Sequence, residues 1–321
     1  DGETGRSHEV RARCVVNATG VWVDELRRLA GAGVGAAVQP MVAPSQGVHI
    51  VLEREFLPGH HALLAPRTTD GRVLFAVPWL GKVILGTTDT PRHDPAREPE
   101  PFAEEVAFLL GEAARYLNRA PTAADVKSIW VGLRPLVRPP DDNGGQTKKL
   151  SREHIVHVSR TGLVTVTGGK WTTYRAMAED VLDTCFQRAM LPRRSGVTAE
   201  LRLVGAPAQI EAGHGISAAP RLHGYGTEQG AVQQLPGAGV ELGGGLTEAM
   251  VRFAARHEYA RSVEDVLARR ARLLFLDAAL ARSLADAVGR ILLEETGVDP
   301  QVQAFCELTR HYQRLPAPVA A

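Results

Sequence analysis

The chain has 321 residues, 44% of them apolar and 23% charged, with a formal net charge of +1. That balance fits a globular protein of roughly two or three compact units and gives no reason to expect nucleic acid as a partner. No run of about 18 apolar residues is present to span a bilayer, and Cys14, Cys185 and Cys306 stand far apart without a C-x-x-C pair, which argues against zinc ribbons, redox dithiols and a disulfide framework and fits a reducing cytoplasm. The opening DGETGRSHEVRARCVVNATG has no initiator Met and no signal-peptide pattern, and it reads like a sequence cut within a domain.

In chain order, Glu9 to Asn17 run into Cys14-Val15-Val16, a buried-strand pattern that Ala18-Thr19-Gly20 breaks before a helix from Val21 to Ala30. From Ser45 to Asp89 the β-rich runs GVHIVL, HALLAPR, RVLFAVPW and KVILGTTD are separated by Gly, Pro and Asp, which predicts an antiparallel sheet. Val106, Leu109, Leu110, Ala113 and Leu117 recur at helical period, so a helix from Phe102 to Leu117 is expected to pack on that sheet. A strand SIWVGLRPLV, the polar loop PPDDNGGQTKK and a hairpin of IVHVS and LVTVTGG turning at Arg160-Thr161-Gly162 follow. Tyr174, Met177, Ala178, Val181, Leu182 and Cys185 then mark an amphipathic helix. Pro192 to Gly245 reads as a linker with short elements. The tail is helical: Thr247 and Ser262 can cap helices, a third carries the stripe Leu280, Leu284, Ala287, Val288 and Ile291 and ends near Gly297, and a last one follows Asp299-Pro300 with Val302, Phe305, Thr309 and Tyr312 along one side.

Three motifs bear on chemistry. In VVNATG a strand ends in small residues, which lets a flat or phosphorylated ligand approach the backbone, although an ordinary turn reads equally well there. GAGVGA, from Gly31 to Ala36, imitates a dinucleotide fingerprint but follows a helix rather than opening one, and so reads as a helix end and loop. TGGKWTTYR stands between a strand and a helix: Gly168 and Gly169 permit close backbone approach, Lys170 supplies a cation, and the amides at the following helix start can stabilise an electron-rich atom. If a flavin lies there, that helix terminus suits the negative charge that reduction places on its N1/C2=O edge; otherwise the glycines only turn the chain and Thr172 only caps.

Arg134 follows an apolar strand, where a planar guanidinium near a buried end needs an anionic partner, whereas Arg152 and Arg138 have no such argument of their own. His49, in GVHIVL, is a candidate acceptor of a hydroxyl proton, with a structural role as the alternative. His60, His61, Asp89, His93 and Asp94 match no metal-ligand spacing, and no metal is expected. Arg261, Arg269, Arg270 and Arg272 alternate with Glu264, Asp265 and Asp277 and read as a solvated helix face or partner surface.

Taken in order, NATGVWVDEL, SQGVHIVL, FAVPW, LGTTDT, GLRPL, SREHIV and GGKWTTYR resemble the FAD-dependent glycerol-3-phosphate dehydrogenases, and LTEAMVRFAARHEYARSVEDVLARRARLLFLD resembles the helical C-terminal domain of that family. The resemblance implies an α/β fold with an α+β insert: a Rossmann-like FAD-binding domain of the amino-acid-oxidase type, incomplete at its N-terminus, an antiparallel substrate-binding sheet and an all-helical C-terminal domain. The corresponding boundaries are 1–40 for the FAD-binding part, 41–150 for the sheet domain, 151–192 for the return to the FAD-binding domain, and 193–321 for the linker and helical domain.

It also implies oxidation of sn-glycerol 3-phosphate to dihydroxyacetone phosphate by hydride transfer to FAD, with quinone or oxygen as electron acceptor. By resemblance Arg134 and Lys170 orient the reacting hydroxyl, Arg152 holds the phosphate, His49 borders the pocket as a base, and Thr19, Gly20, Gly168, Gly169, Lys170 and Thr172 contact FAD. The family's first G-x-G-x-x-G turn and acidic ribose ligand have no counterpart in this sequence, so weak FAD retention is expected of it alone. The expected location is cytoplasmic, with peripheral contact at the inner face of the membrane if the acceptor is a quinone, and a homodimer is a candidate assembly. An amine or amino-acid oxidase of the same fold, or a non-catalytic interaction fragment, stands as the alternative.

Overall fold

The computed structural model describes residues 1–2, 4–32, 38–138, 153–208 and 215–317. In chain order the elements are β1 (Val16–Asn17), α1 (Val23–Ala32), β2 (Val42–Glu53), β3 (Leu63–Ala65), β4 (Leu74–Trp79), β5 (Lys82–Gly86), β6 (Thr90–Pro91), α2 (Ala103–Tyr116), β7 (Ser128–Val137), β8 (His154–Val158), β9 (Val164–Gly168), α3 (Tyr174–Gln187), α4 (Gln229–Gln233), β10 (Glu241–Gly243), β11 (Leu246–Thr247), α5 (Glu248–His257), α6 (Leu273–Leu276), α7 (Ala278–Thr296) and α8 (Val302–Gln313). They divide between two compact units, one made of residues 1–46, 89–97 and 133–201, the other of residues 47–88, 98–132 and 202–321.

The first unit is built on the sheet β1-β9-β8, in which β1 runs parallel to β9 and β9 antiparallel to β8. The β8–β9 hairpin forms because Gly162 adopts φ +84° and its amide donates to Ser159 O at 3.1 Å, closing the turn. The expected strand from Glu9 to Asn17 is far shorter, covering only Val16–Asn17, and its apolar run is not buried: Val15 is 57% exposed. Alternation indicates which way side chains face but not how many strands stand alongside, and β1 is an edge strand with β9 as its neighbour.

Val181 and Cys185 of α3 pack with Val164 beneath this sheet. The cysteines are not all apart in space: Cys14 Sγ lies 3.5 Å from Cys185 Sγ although 171 residues separate them, and burial, followed by the Cys14 contact, pushes the Cys185 thiol up to about 11. In the same unit Asp24 of α1 accepts from the amides of Met41 and Val42 at 2.9 and 3.1 Å, which fixes the start of β2. Ser45 and Gln46 of β2 pair with Pro91 and Thr90 of β6.

In the second unit β3, β4, β5 and β2 pair antiparallel in that order, with His49 opposite Gly86 and Ile50 opposite Leu85. Inward-facing Val48, Ile50, Leu52, Leu74 and Leu85 meet Val106, Leu109 and Ala113 of α2 in one core, with Ile129 of β7 closing it. Each such leucine contributes on the order of 2 kcal/mol by leaving water. The same unit holds the helices α5 to α8, whose Phe253, Leu267, Leu274, Leu292 and Phe305 share a second core.

The helix ends follow their predicted caps. Thr247 Oγ1 accepts from Met250 N at 3.4 Å. Ser262 and Asp265 exchange hydrogen bonds of 3.1 and 2.9 Å ahead of a short π-helix (Asp265–Arg270), and Gly297 closes α7 at φ +68°. Thr247→Ala is expected to destabilise by about 1 kcal/mol, seen as a lower urea midpoint with unchanged slope. An unchanged midpoint would mean that the hydroxyl does no capping. Among the described residues no helix is long and apolar enough to cross a membrane.

Candidate functional site

At the end of β9 the chain must turn sharply to start α3, and Gly168 and Gly169 do this with φ of +77° and +73°. A Cβ at Gly168 would lie 2.5 Å from Glu153 O and 2.6 Å from Val137 Cγ2, and one at Gly169 would lie 2.6 Å from Met177 Sδ. The space the two glycines leave is thus filled by the protein itself. Close ligand approach is not what demands them, and the simpler expectation, that they turn the chain, holds.

Lys170 follows, and its carbonyl accepts from Thr173 N at 3.0 Å and Thr173 Oγ1 at 2.9 Å, winding a 3-10 turn (Trp171–Thr173). Thr173, not Thr172, stands at the head of α3, and no side chain caps that helix start. His154 Nε2 and Asp180 Oδ2, 2.7 Å apart, tie α3 to β8 and hold the helix start in place.

Beside this turn lies a cavity of about 870 Å³, bounded by Val16 and Ala18 of the β1 end, Leu133 to Leu136 of β7, the Gly168–Lys170 loop, and the face of α3 that carries Tyr174, Met177 and Leu182. Among its described lining residues Arg134 and Lys170 carry the charge, and both are cationic. Arg134 Nη1 is 3.8 Å from Asp89 Oδ1, and Asp89 in turn accepts a hydrogen bond from Ser45 Oγ. This chain of contacts holds the guanidinium at the cavity wall. The remaining walls are apolar or backbone, so a flat ring finds a dry face and a phosphate finds cations.

Trp171 is 86% exposed and stacks on Tyr174, itself 54% exposed, at 5.6 Å between ring centroids. Neither aromatic was expected at the site. The apolar stripe on α3 suggested packing throughout, but only Val181 and Cys185 are buried. Periodicity finds an apolar face; it does not say whether protein or ligand covers it.

The other candidates fall elsewhere. Thr19 Oγ1 donates to Asn17 Oδ1 at 2.8 Å, and Asn17 Nδ2 reaches Val23 O at 2.9 Å, so this turn is locked internally, with Gly20 at φ +63°. Thr19, Gly20 and Thr172 are not on the lining, whereas their neighbours Ala18 and Trp171 are. Arg152 and most of the loop before it lie outside the described residues. His49 belongs to the second unit, where its ring stacks on Trp130 at 4.2 Å and rests against Gly86, whose missing Cβ makes room for it. Among the described residues no group of three or more His, Cys, Asp or Glu side chains is arranged to hold a metal.

Residues 1–175 match the family model described as FAD dependent oxidoreductase. The chain belongs to this family. Residues 196–303 match the C-terminal domain of alpha-glycerophosphate oxidase, in keeping with the helices of the second unit. The mitochondrial glycerol-3-phosphate dehydrogenase of Arabidopsis thaliana is 37% identical over 91% of this chain and 50% of its own length. The probable mitochondrial enzyme of Caenorhabditis elegans is 37% identical over 92% of the chain and 43% of its own length. The solved glycerol-3-phosphate dehydrogenase of Bacillus halodurans, complexed with FAD, superposes with a TM-score of 0.73 at 25% identity, covering 98% of this chain and 64% of that one. The chain spans about half the length of the curated relatives it matches. The FAD-dependent oxidoreductase fold, with antiparallel sheet and C-terminal helical domain, is therefore the architecture here.

The residues present fit a flavin. The dry wall of β7 and α3 suits a ring system, and the amide end of α3, which no side chain caps, suits an acceptor edge that gains negative charge.

Proposed function

We propose that this FAD-dependent oxidoreductase acts on sn-glycerol 3-phosphate, giving dihydroxyacetone phosphate. The supporting observation is that Arg134 and Lys170 share one cavity with the Gly168–Lys170 turn and the start of α3. Bound FAD supplies the hydride acceptor. Leu133, Met177 and Tyr174 would line the place of the ring, the α3 amide end would favour the charge it gains on reduction, and Lys170 and Arg134 would hold the substrate by its oxygens. His49 is the proposed acceptor of the hydroxyl proton, since a neutral imidazole suits that step near pH 7. Arg152 is proposed to bind the phosphate.

The match of residues 196–303 to an alpha-glycerophosphate oxidase domain favours a polyol phosphate over an amine. Electrons would pass to a quinone or to oxygen, and a quinone would bring the cytoplasmic protein against a membrane face.

The test is anaerobic bleaching of flavin absorbance in the intact gene product. Glycerol 3-phosphate is expected to bleach it, and Arg134→Ala to lower kcat/KM by roughly 100-fold, about 2.7 kcal/mol of transition-state stabilisation. Bleaching by glycine or a D-amino acid, with none by glycerol 3-phosphate, would reject the substrate.

A further inference from the structure

The tail arginines read from sequence as a solvated helix face or partner surface; Arg269 and Arg272 are exposed, and with Arg270 and the exposed Arg221 they line an indented cavity of about 350 Å³ within the second unit. The walls of this cavity are specifically built. Gly243, Gly244 and Gly245 adopt φ of +146°, +60° and +82°, and a Cβ at Gly244 would lie 2.8 Å from Leu273 Cδ2. A Cβ at Gly245 would run into Pro220 O and lie 3.2 Å from Arg221 Cγ, so this glycine lets the Arg221 segment cross tightly over the loop. The Gly245 amide already donates to the Glu241 carboxylate at 3.2 Å, which holds the loop shut on its far side.

The cations around the cavity are not equally engaged. Arg269 pairs with Glu264 at 2.6 Å and Asp265 at 3.1 Å, and Arg270 lies 3.4 Å from Glu258. Arg221 and Arg272 have no side-chain hydrogen bond or ion pair to any described residue. The opposing carboxyls on the lining are Glu228 and Glu258. Burial raises the Glu258 carboxyl above its ordinary value, against the pull of Arg270.

Arg272 also holds a left-handed backbone, φ +58° and ψ +17°, that glycine would adopt without strain. What arginine adds at such a position is its guanidinium.

We propose that this cavity binds a small molecule carrying a phosphate dianion, gripped by Arg221 and Arg272. Two guanidinium forks match the charge and tetrahedral oxygens of a phosphate monoester, and about 350 Å³ admits a metabolite of a few carbons but no peptide or nucleic acid. The site goes beyond the proposed oxidation, and none of its lining residues is shared with the cavity of Arg134 and Lys170.

The test uses the full chain carrying Arg134→Ala, Arg152→Ala and Lys170→Ala together, so that phosphate held at the other cavity does not register. It is titrated calorimetrically with inorganic phosphate at constant ionic strength, with malonate as a dicarboxylate comparison. Saturable phosphate binding in the millimolar range is expected, tighter than malonate, and weakened at least tenfold when Arg221→Ala or Arg272→Gly is added. Without phosphate the Arg272→Gly chain should melt at or above the parent temperature, because glycine relieves the backbone. That result would separate a lost ligand contact from a damaged fold. Three outcomes would overturn the site: no phosphate binding in the triply substituted chain, binding unchanged by both further arginine substitutions, or malonate binding as tightly as phosphate.

Discussion

Gly168→Ala is expected to destabilise the first unit by about 4 kcal/mol, combining roughly 1–2 kcal/mol for an alanine in the left-handed region with the strain of overpacking. The second contribution is large because the new methyl would meet the backbone carbonyl of Glu153 at 2.5 Å and Val137 Cγ2 at 2.6 Å, and Glu153 is the residue just before His154, whose pairing with Gly168 limits how far that backbone can yield. Gly169→Ala makes a sharp comparison, since its φ is nearly the same but its methyl would meet the end of the flexible Met177 side chain. About 2 kcal/mol is expected there, with Met177 pushed toward the cavity it lines. Urea melts followed by near-ultraviolet circular dichroism would report both, because Trp171 and Tyr174 flank the turn. If Gly168→Ala melts within 1 kcal/mol of the parent (about a fivefold change in the folding equilibrium), the packing described for this turn is wrong. If Gly169→Ala proves the more damaging, the fixed backbone carbonyl is not what decides.

The contrast between these glycines also marks how far the sequence could be read. Local pattern was sufficient for α2, where Val106, Leu109 and Ala113 repeat at helical period and are buried, and for β7, whose run SIWVGLRPLV forms a strand over its whole length. It was sufficient for the turn of TGGK, because paired glycines between a strand and a helix have few other uses. It failed where the answer depended on partners distant in sequence. Nothing near Arg134 points to Asp89 and Ser45, which come to it from the β5–β6 connection and from β2. Nothing near Cys14 points to Cys185. Arg269 and Arg272 are exposed, as a solvated helix face or partner surface would be, but nothing near them points to Arg221 and the glycine loop, which the fold brings beside them from more than twenty residues upstream. A periodic stripe records which face is apolar or charged. What lies against that face is a property of topology.

Glu295→Ala is expected to destabilise the helical tail by about 3–4 kcal/mol, in the range seen when one partner of a buried ion pair is removed. Glu295 stands in the last turn of α7, where the helix dipole disfavours a carboxylate, and only 7% of its side chain is exposed. It is tolerated because Arg252 and Arg256, one turn apart on α5, converge on it: Arg252 Nη1 donates to Oε1 at 2.6 Å, and Arg256 Nε and Nη2 donate to Oε2 and Oε1 at 2.5 and 2.8 Å. Removing the carboxylate would leave Arg252, 10% exposed, with Glu294 at 3.0 Å and the more distant Glu248, and Arg256 with no other ion pair among the described residues. Hydrogen bonds from Arg256, opposed by burial and aided by Arg252, hold the Glu295 carboxyl below its ordinary value of 4.5. A depressed folded value means that this stabilisation is fully present above pH 4.5 and is lost as pH falls through the folded value. The parent should therefore lose thermal stability on acidification below that point more steeply than Glu295→Gln, which keeps the shape and one acceptor but cannot titrate. Parallel acid limbs for the two chains would show that the pair contributes nothing, and a double-mutant cycle of Glu295→Ala with Arg252→Met should then return no coupling.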